Sequence, residues 1–354
     1  MTRPALLAPL ALLATLATTT LAQTDTDAPA AADERAAMVD NMGPIVRLPP
    51  GTIPRGTGSN EFRVKRTDEI APTSESGAFR TSCTIAKVAR IDPIVFPGKL
   101  DQSHLHTFFG NVKVDENSTT SSLLASGAST CRGGTANRSA YWVPTMVDTA
   151  TGKPVMPDDI GVYYKSGFTT GDKLTQGIPE GLRMIAGNPA SSGPPKPGDP
   201  FAYRYKCIGG PRKQNDKYGS EIPNCDLGAS IWQEIFFPQC WDGQNLDSPD
   251  HKSHMSYAVQ NQRAPFDWSC PKTHPVVLPQ ITFNVIYTAK TKDAAQNWRL
   301  ASDRYDARKP GGYSAHGDWF NGWKHEVSEA WFKHCLVAKK DCHSHLLGDG
   351  RMIY

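Results

Sequence analysis

The chain has 354 residues, 39% hydrophobic and 21% charged, an ordinary globular balance that excludes both a membrane bundle and wholesale disorder. Lys and Arg number 38 against 35 Asp and Glu, so the net charge of +3 is too even for a nucleic-acid-binding protein with a concentrated basic stripe. The 30 glycines and 28 prolines favour short strands and long loops over a helical bundle.

Residues 1–22 have the three parts of a secretory signal peptide. Arg3 supplies the positive charge, Ala5 to Ala17 the apolar stretch, and Ala22 the small residue at the cleavage site. The apolar stretch is too short to span a bilayer. The sequence therefore predicts a secreted, extracellular protein, a monomer with no membrane contact after signal cleavage.

The rest of the chain divides into a leader, one domain and a tail. Residues 23–60, rich in Ala, Asp, Thr and Pro, predict a disordered leader. Residues 61–340 predict a single catalytic or binding domain, and residues 341–354 a C-terminal tail. Within the domain, short β-branched and aromatic runs predict six strands, at Ala89–Phe96, Ala140–Val147, Gly161–Lys165, Phe201–Lys206, Ile231–Phe237 and Gln280–Thr288.

Helical spacing of apolar residues predicts one C-terminal helix, Glu326–Lys339. The elements together predict a mainly β protein, a single β-sandwich or jelly-roll-like domain with long disulfide-tied loops and that one helix. No pair of cysteines has the C-x-x-C spacing of a zinc or redox motif, so in an exported chain we expect four disulfides. Spacing suggests Cys335–Cys342 and Cys240–Cys270 as local pairs. The eight cysteines are Cys83, Cys131, Cys207, Cys225, Cys240, Cys270, Cys335 and Cys342.

Histidines and carboxylates gather in a few polar segments. His104 and His106 form an H-x-H motif, which on a strand places two imidazoles on one face. Such convergence serves either a metal site or proton transfer. The candidate catalytic residues share this setting of polar loops with Gly and Ser; they are His104, His106, Asp247, Asp250, His254, His316 and Asp318.

Eight tryptophans point towards a carbohydrate ligand, because indole faces stack on the apolar faces of sugar rings. Trp241, Trp319 and Trp323 lie inside the polar segments and are the candidate stacking platforms. Tyr164, next to a lysine, is a candidate proton donor or acceptor. Arg138 and Lys252 are candidates for binding a carboxylate of the substrate.

Several of these segments resemble a known family of secreted fungal and bacterial proteins, catalogued as domain of unknown function 1996. The resemblance spans about residues 80 to 340 and implies export and a link to cell-wall polysaccharide, because some members carry attached carbohydrate-binding modules. It rests on residues 103–111 (SHLHTFFGN), 138–144 (RSAYWVP), 240–243 (CWDG) with 246–254 (LDSPDHKSH), 270–280 (CPKTHPVVLPQ), 316–318 (HGD) and 321–323 (NGW).

Three functions fit these residues. The first is a cell-wall polysaccharide hydrolase or lyase, in which Asp250 and Asp318 would stand about 5 to 10 Å apart across a glycosidic bond, or a His or Tyr would remove a proton next to a uronate. The second places zinc or copper on His104 and His106, together with His254 or His316. The third is a non-catalytic protein that binds cell-wall polysaccharide.

Overall fold

A computed structural model describes residues 42, 45–47, 51–166, 174, 176–210, 217–260, 268–290, 292, 294–343 and 345–354. The protein is mainly β, as its sequence predicts, with 35% of residues in strands and 8% in helices. The expected signal peptide and residues 23–41 of the expected leader lie outside the described residues.

Two larger antiparallel sheets form the body of the protein. The first sheet contains β1 (Ile53–Pro54), β4 (Ile85–Ala89), β5 (His106–Gly110), β6 (Ala140–Pro144), β10 (Arg183–Gly187) and β20 (His316–Phe320), paired in the order β1-β4-β5-β6-β20-β10. The second sheet contains β3 (Ala78–Cys83), β9 (Asp159–Lys165), β11 (Tyr203–Ile208), β12 (Ser230–Phe236) and β18 (Gln280–Thr288), paired in the order β11-β12-β18-β9-β3.

Four smaller sheets surround these two in the described part of the chain, which is therefore more composite than the single sandwich predicted above. They pair β2 (Val64–Arg66) with β21 (Arg351–Ile353), β15 (Val259–Gln260) with β16 (Trp268–Ser269), β7 (Met146–Asp148) with β8 (Lys153–Val155) and β19 (Trp298–Leu300), and β13 (Cys240–Trp241) with β14 (Met255–Ser256) and β17 (Val276–Val277). Among the described residues the helices are α1 (Thr120–Ala125), α2 (Ala294–Asn297), α3 (His325–Trp331) and a π-helix at Phe332–Val337.

The two larger sheets meet at their apolar faces. Alternation along β18 turns Ile281, Phe283, Val285 and Tyr287 inwards, where all four are buried. The ring centroids of Phe283 and Tyr141 of β6 are 5.7 Å apart. At Gly317 of β20, an added Cβ would lie only 3.2 Å from Phe283. Glycine therefore lets β20, and with it His316, pack close to the second sheet.

The chain contains four disulfides, Cys83–Cys131, Cys207–Cys225, Cys240–Cys270 and Cys335–Cys342, and no free cysteine is found. The two local pairs expected from spacing are both present. Cys335–Cys342 joins the π-helix to the C-terminal segment, so residues that follow the helix are held against the domain.

Most predicted strands are present, with one clear error. The predicted strand Ala89–Phe96 is wrong, because β4 ends at Ala89 and the carboxylate of Asp92 accepts the backbone N–H groups of Ile94 and Val95, which closes a turn. The predicted strand Ala140–Val147 is divided between β6 and β7. The predicted C-terminal helix begins at His325 and changes from α- to π-helix at Phe332.

Both ends of the described chain take part in the fold. Ile53 of β1, within the predicted leader, pairs with Val88 of β4. In the predicted tail, β21 pairs with β2, and Leu347 and Ile353 are fully buried. Short polar sequences here are held by strand pairing with distant segments, which local composition does not reveal.

Candidate metal centre

Three histidines converge where two strands of the first sheet begin. His106 is the first residue of β5, His104 lies two residues before it, and His316 is the first residue of β20. β5 and β20 lie on either side of β6, about 9.5 Å apart in the sheet. His106 is paired with Pro144 at the end of β6, and the imidazole centroids of His106 and His316 approach to 5.9 Å.

The three imidazoles form a compact cluster with no solvent exposure. The Nε2 atoms of His104 and His316 are 3.1 Å apart, and one ring nitrogen from each of the three histidines lies within 4.8 Å of the others. Two nitrogens bound to one tetrahedral zinc ion would be about 3.3 Å apart. The spacing of the cluster therefore fits one metal ion.

Backbone carbonyls set which nitrogen faces the cluster in two of the three rings. The Nδ1–H of His106 donates to the carbonyl of Ile91 at 3.0 Å, and the Nδ1–H of His316 donates to the carbonyl of Ser314 at 2.8 Å. Both Nε2 atoms therefore carry a lone pair, and Nε2 of His106 has no hydrogen-bond partner among the described residues. Metal-binding histidines commonly have this arrangement, with the second ring nitrogen bound to a carbonyl.

Burial keeps these rings uncharged. It lowers the pKa of His106 to about 4, although the hydrogen bond to Ile91 opposes the shift. Burial, together with the charge of His106, lowers the pKa of His316 to about 3. Both imidazoles are neutral at neutral pH, which is the form that binds a metal ion.

Asp318 adds a carboxylate beside the cluster. It lies two residues after His316, on the same face of β20, and its Oδ2 is 4.0 Å from Nε2 of His316. Asp318 is fully buried, and neither carboxylate oxygen has a hydrogen-bond partner among the described residues. A buried carboxylate without such partners is costly unless a cation compensates it.

A second buried acid, Asp92, lies close to Asp318. Burial raises the pKa of Asp318 well above its usual value, and the charge of Asp92 raises it further. Burial also raises the pKa of Asp92, against the two backbone N–H groups that its Oδ1 accepts. Two acids that resist ionisation, beside the neutral imidazoles of His106 and His316, form a site to which a divalent cation would contribute positive charge.

Asp303 fixes the backbone that leads to His316. It accepts the backbone N–H of Leu300 and of Gly312 and the hydroxyl of Ser314. The carbonyl of Ser314 in turn accepts the Nδ1–H of His316. Asp303 thus orients His316 through the loop backbone, and none of these hydrogen bonds joins the two side chains directly.

The structure places His254 outside the cluster that contains the two other predicted metal ligands. Its Nε2–H donates to the carbonyl of Arg183, 2.7 Å away, and its Nδ1 forms a hydrogen bond with the hydroxyl of Ser248. A carbonyl can only accept, so Nε2 carries the proton and is not available to a metal ion. His316 is the residue that joins His104 and His106.

Asp247 and Asp250 stabilise their own loop. Asp247 accepts hydrogen bonds from Arg183 and His251, at 3.0 and 2.9 Å. Oδ1 of Asp250 accepts two backbone N–H groups, from Lys252 and Ser253, and the hydroxyl of Ser248. The same loop bonds place Lys252 near the centre, since its charge acts on both His316 and Asp318.

Lys252 also lines a pocket of ≈ 280 Å³. Its Nζ donates to the carbonyl of Gly187 at 3.3 Å, and Gly187 is the partner of His316 in the pairing of β10 with β20. Lys252 therefore stands between the pocket and the histidine cluster.

The prediction that three tryptophans form stacking platforms is wrong, because all three are buried. Trp319 and Trp323 are buried in the core shared by the two larger sheets, and Nε1 of Trp323 donates to the hydroxyl of Tyr164 at 2.9 Å. Tyr164 is itself fully buried, and burial raises its pKa far above the usual value. Trp241 is 7% exposed, with its Nε1 bonded to the carbonyl of Asn245. None of these side chains presents a face to a sugar.

Arg138 likewise serves the structure. Its Nε donates to the carbonyl of Gly127 and its guanidinium to the carbonyl of Leu124, both at 2.8 Å. Asp92 and Asp303 are the site residues that the sequence analysis missed. An acid inside the apolar run Ile91–Phe96 is the one local signal that pointed to Asp92.

Fold and site together define a mainly β, disulfide-bonded protein with a buried three-histidine, one-aspartate centre. The family model described as Domain of unknown function (DUF1996) matches residues 92–323, more than half of the chain, and the chain belongs to this family, as its motifs implied. The match contains all four residues of the centre and Asp92. No curated protein and no solved structure matches the chain.

The disulfides bear on the compartment in which the protein folds. Its four disulfides are typical of oxidising compartments outside the cytosol. Within the residues that the structure describes, no helix has the length and apolar character needed to cross a membrane. The disulfides are consistent with an exported protein.

Proposed function

We propose that this is a secreted, zinc-dependent enzyme that hydrolyses a cell-wall polysaccharide. The observation that supports it best is the convergence of three buried imidazoles, with the Nε2 atoms of His106 and His316 turned towards the cluster by backbone carbonyls. The partnerless carboxylate of Asp318 next to His316 supplies a fourth candidate ligand or a base for a metal-bound water.

A zinc ion held by His104, His106 and His316 would lower the pKa of a bound water and would polarise the bond under attack. In the overall reaction the water oxygen bonds to a sugar carbon, the glycosidic bond from that carbon to its bridging oxygen breaks, and a proton goes to the bridging oxygen. A bound cation would favour the ionised form of Asp318, which would then accept a proton beside the centre. Lys252, between the pocket and the cluster, is placed to stabilise the negative charge that develops.

Full burial of the cluster favours a second candidate function. A metal site that admits no substrate stabilises a fold, and structural zinc sites are closed in this way. The protein would then bind polysaccharide without cleaving it.

The deciding experiment measures metal content and product together. Protein purified without chelators should hold about one zinc ion per chain, as a single four-ligand site requires, and should release soluble oligosaccharides from one member of a panel of cell-wall polysaccharides. His316→Ala should lose both properties. His325→Ala, which alters a histidine whose side chain is 76% exposed on α3, should lose neither.

Other results decide between the alternatives. Bound zinc with no product, but with retention on one polymer, would support the binding protein. Unsaturated products would indicate a lyase instead of a hydrolase. Absence of metal from wild type grown in zinc-supplemented medium would contradict the metal centre itself.

A further inference from the structure

The outward face of the second sheet carries a polar stripe along its central strand. β18 turns Gln280, Thr282 and Asn284 away from the core, and all three are nonetheless less than one-tenth exposed. Oε1 of Gln280 and Oδ1 of Asn284 have no hydrogen-bond partner among the described residues. An amide oxygen without a partner is costly to enclose, so a ligand hydroxyl that displaced the side chains over these oxygens would gain a hydrogen bond.

Aromatic rings flank this stripe on both sides. Tyr163 of β9 and Phe236 of β12 are both paired with Thr282, and Trp232 is paired with Ile286 further along β18. Tyr163 and Trp232 are half-buried, so part of each ring reaches solvent. Rings beside amides form the combination that binds sugars, because the rings stack and the amides bond to hydroxyls.

Basic side chains hold these rings in position. Arg80 and Lys165 lie over the ring of Tyr163, at 5.3 and 5.0 Å from its centroid. Lys206 lies 5.2 Å from the centroid of Trp232. Rings fixed by such contacts lose little freedom when a ligand binds.

The charges of this face nearly balance. Glu234 forms ion pairs with Arg204 and Lys206. Asp159 interacts with the charge of Arg80, and Asp341 with that of Lys165. Basic groups that already have acidic neighbours give little attraction to a polyanion, so the face suits an uncharged ligand.

A groove continues from the Gln280 end of the face towards the histidine cluster. Its volume is ≈ 970 Å³, and Phe236, Gln280, Tyr257 and Trp268 are among its lining residues. Tyr257 also lines the smaller pocket that contains Lys252. The face and the groove therefore share Phe236 and Gln280, and the groove and the pocket share Tyr257. The pocket in turn contains Gly187, the strand partner of His316.

We propose that the outward face of the second sheet and this groove bind one extended, uncharged polysaccharide chain and lead it towards the three-histidine centre. This inference rests on the proposed function for the role of the centre. The binding itself needs no metal ion, since Gln280, Asn284, Tyr163 and Trp232 carry it.

The test measures binding of the chelator-treated full chain to uncharged and anionic polysaccharides by affinity electrophoresis. Wild type should be retarded by an uncharged polymer, and Trp232→Ala and Tyr163→Ala should each weaken binding roughly tenfold, the size of a lost stacking contact. Tyr163→Phe keeps the ring and should bind as wild type does. Tyr354→Ala is the matched control, because Tyr354 is 44% exposed, lies beside the β2–β21 sheet and also has a lysine over its ring.

Unchanged melting temperatures of these surface variants will show that lost binding is not lost folding. Equal binding by wild type and Trp232→Ala, retention by anionic polymers alone, or retention by none of the panel would each overturn the inference. The protein is metal-free in this assay, so the result does not depend on whether the three-histidine centre binds zinc. The two proposals are therefore tested separately.

Discussion

Nε2 of His104 and Nε2 of His316 are 3.1 Å apart, although 212 residues separate them in the chain. They meet because β5 and β20 both pair with β6 and begin at the same end of it. A single zinc ion bound to both would hold them at about this separation. The candidate site is therefore a product of strand order in the first sheet, and the loop at residues 247–254 supports it from outside.

Removing the metal should destabilise wild type but leave a ligand variant unchanged. An ion present at about 100 times its Kd adds about 2.7 kcal/mol to the free energy of unfolding. Calorimetry of wild type should show a lower melting temperature after chelation, whereas His106→Ala should melt at the same temperature with and without chelator. A chelator effect of equal size in both proteins would place the ion elsewhere.

Asp318→Asn should separate metal affinity from folding. Asparagine keeps the shape but removes a carboxylate that burial and the charge of Asp92 make hard to ionise. We expect the metal-free variant to be at least as stable as wild type, and its zinc affinity to fall about 10- to 100-fold. Competition with a chromogenic chelator and urea unfolding measure the two quantities, and unchanged zinc affinity would remove Asp318 from the site.

Lys252→Met should reduce turnover without changing metal content. Lys252 lines the pocket and its charge acts on His316 and Asp318, and loss of one group that stabilises developing charge lowers kcat about 100-fold. Lys333→Met, on the exposed side of the π-helix, is the control. Loss of zinc from the Lys252 variant, or an unchanged kcat, would contradict this role.

Asp247, in the loop that carries Lys252, should contribute less to the free energy of unfolding at acidic pH. Burial opposes ionisation of Asp247, but the hydrogen bond and charge of His251 and the charge of Arg183 outweigh it, so the pKa of Asp247 lies below 3.8. The stabilisation by Asp247 is therefore fully present when the pH is above the pKa of Asp247 in the unfolded chain. It is lost as the pH falls through the lower pKa of Asp247 in the folded protein.

Urea unfolding of wild type and Asp247→Asn provides the measurement. The free energies of unfolding should differ by about 1 kcal/mol near pH 6, as for a partly exposed ion pair, and the difference should shrink as the pH falls below the unfolded pKa of about 3.9. A difference that does not shrink below that pH would show that the charge of Asp247 is not involved.

Trp323→Ala should behave as a core mutation. The indole packs against Phe79 and Trp331, with centroids 5.7 and 6.1 Å away, and is 2% exposed. Truncation should cost about 3 to 5 kcal/mol of unfolding free energy. Chemical denaturation measures that loss, and the fraction that remains folded should bind polysaccharide as wild type does, in contrast to Trp232→Ala.

Regular patterns were predictable from the sequence. The alternation of Ile281, Phe283, Val285 and Tyr287 predicted β18 with its observed bounds, and helical spacing predicted the C-terminal helix to within one residue of its start. These signals work because burial on one face of a strand or helix repeats at a fixed interval. The predicted strand at Ala89–Phe96 failed because a single buried acid, Asp92, closes a turn inside an apolar run.

Half of the candidate site could be predicted in the same way. His104 and His106 are neighbours in sequence, and their spacing indicated convergence. Whether His254 or His316 joins them depends on the pairing of β20 with β6, which no local pattern encodes. Trp319 and Trp323 lie in polar segments but turn into the core, so composition around them suggested exposure that they do not have.

X-ray absorption at the zinc edge tests the central claim most directly. The account predicts a four-coordinate ion with three imidazole nitrogens at about 2.0 to 2.1 Å and one oxygen. In His316→Ala, one imidazole should disappear from the spectrum of any zinc that is retained. Fewer than three imidazoles in wild type, or a spectrum that His316→Ala leaves unchanged, would contradict the three-histidine centre.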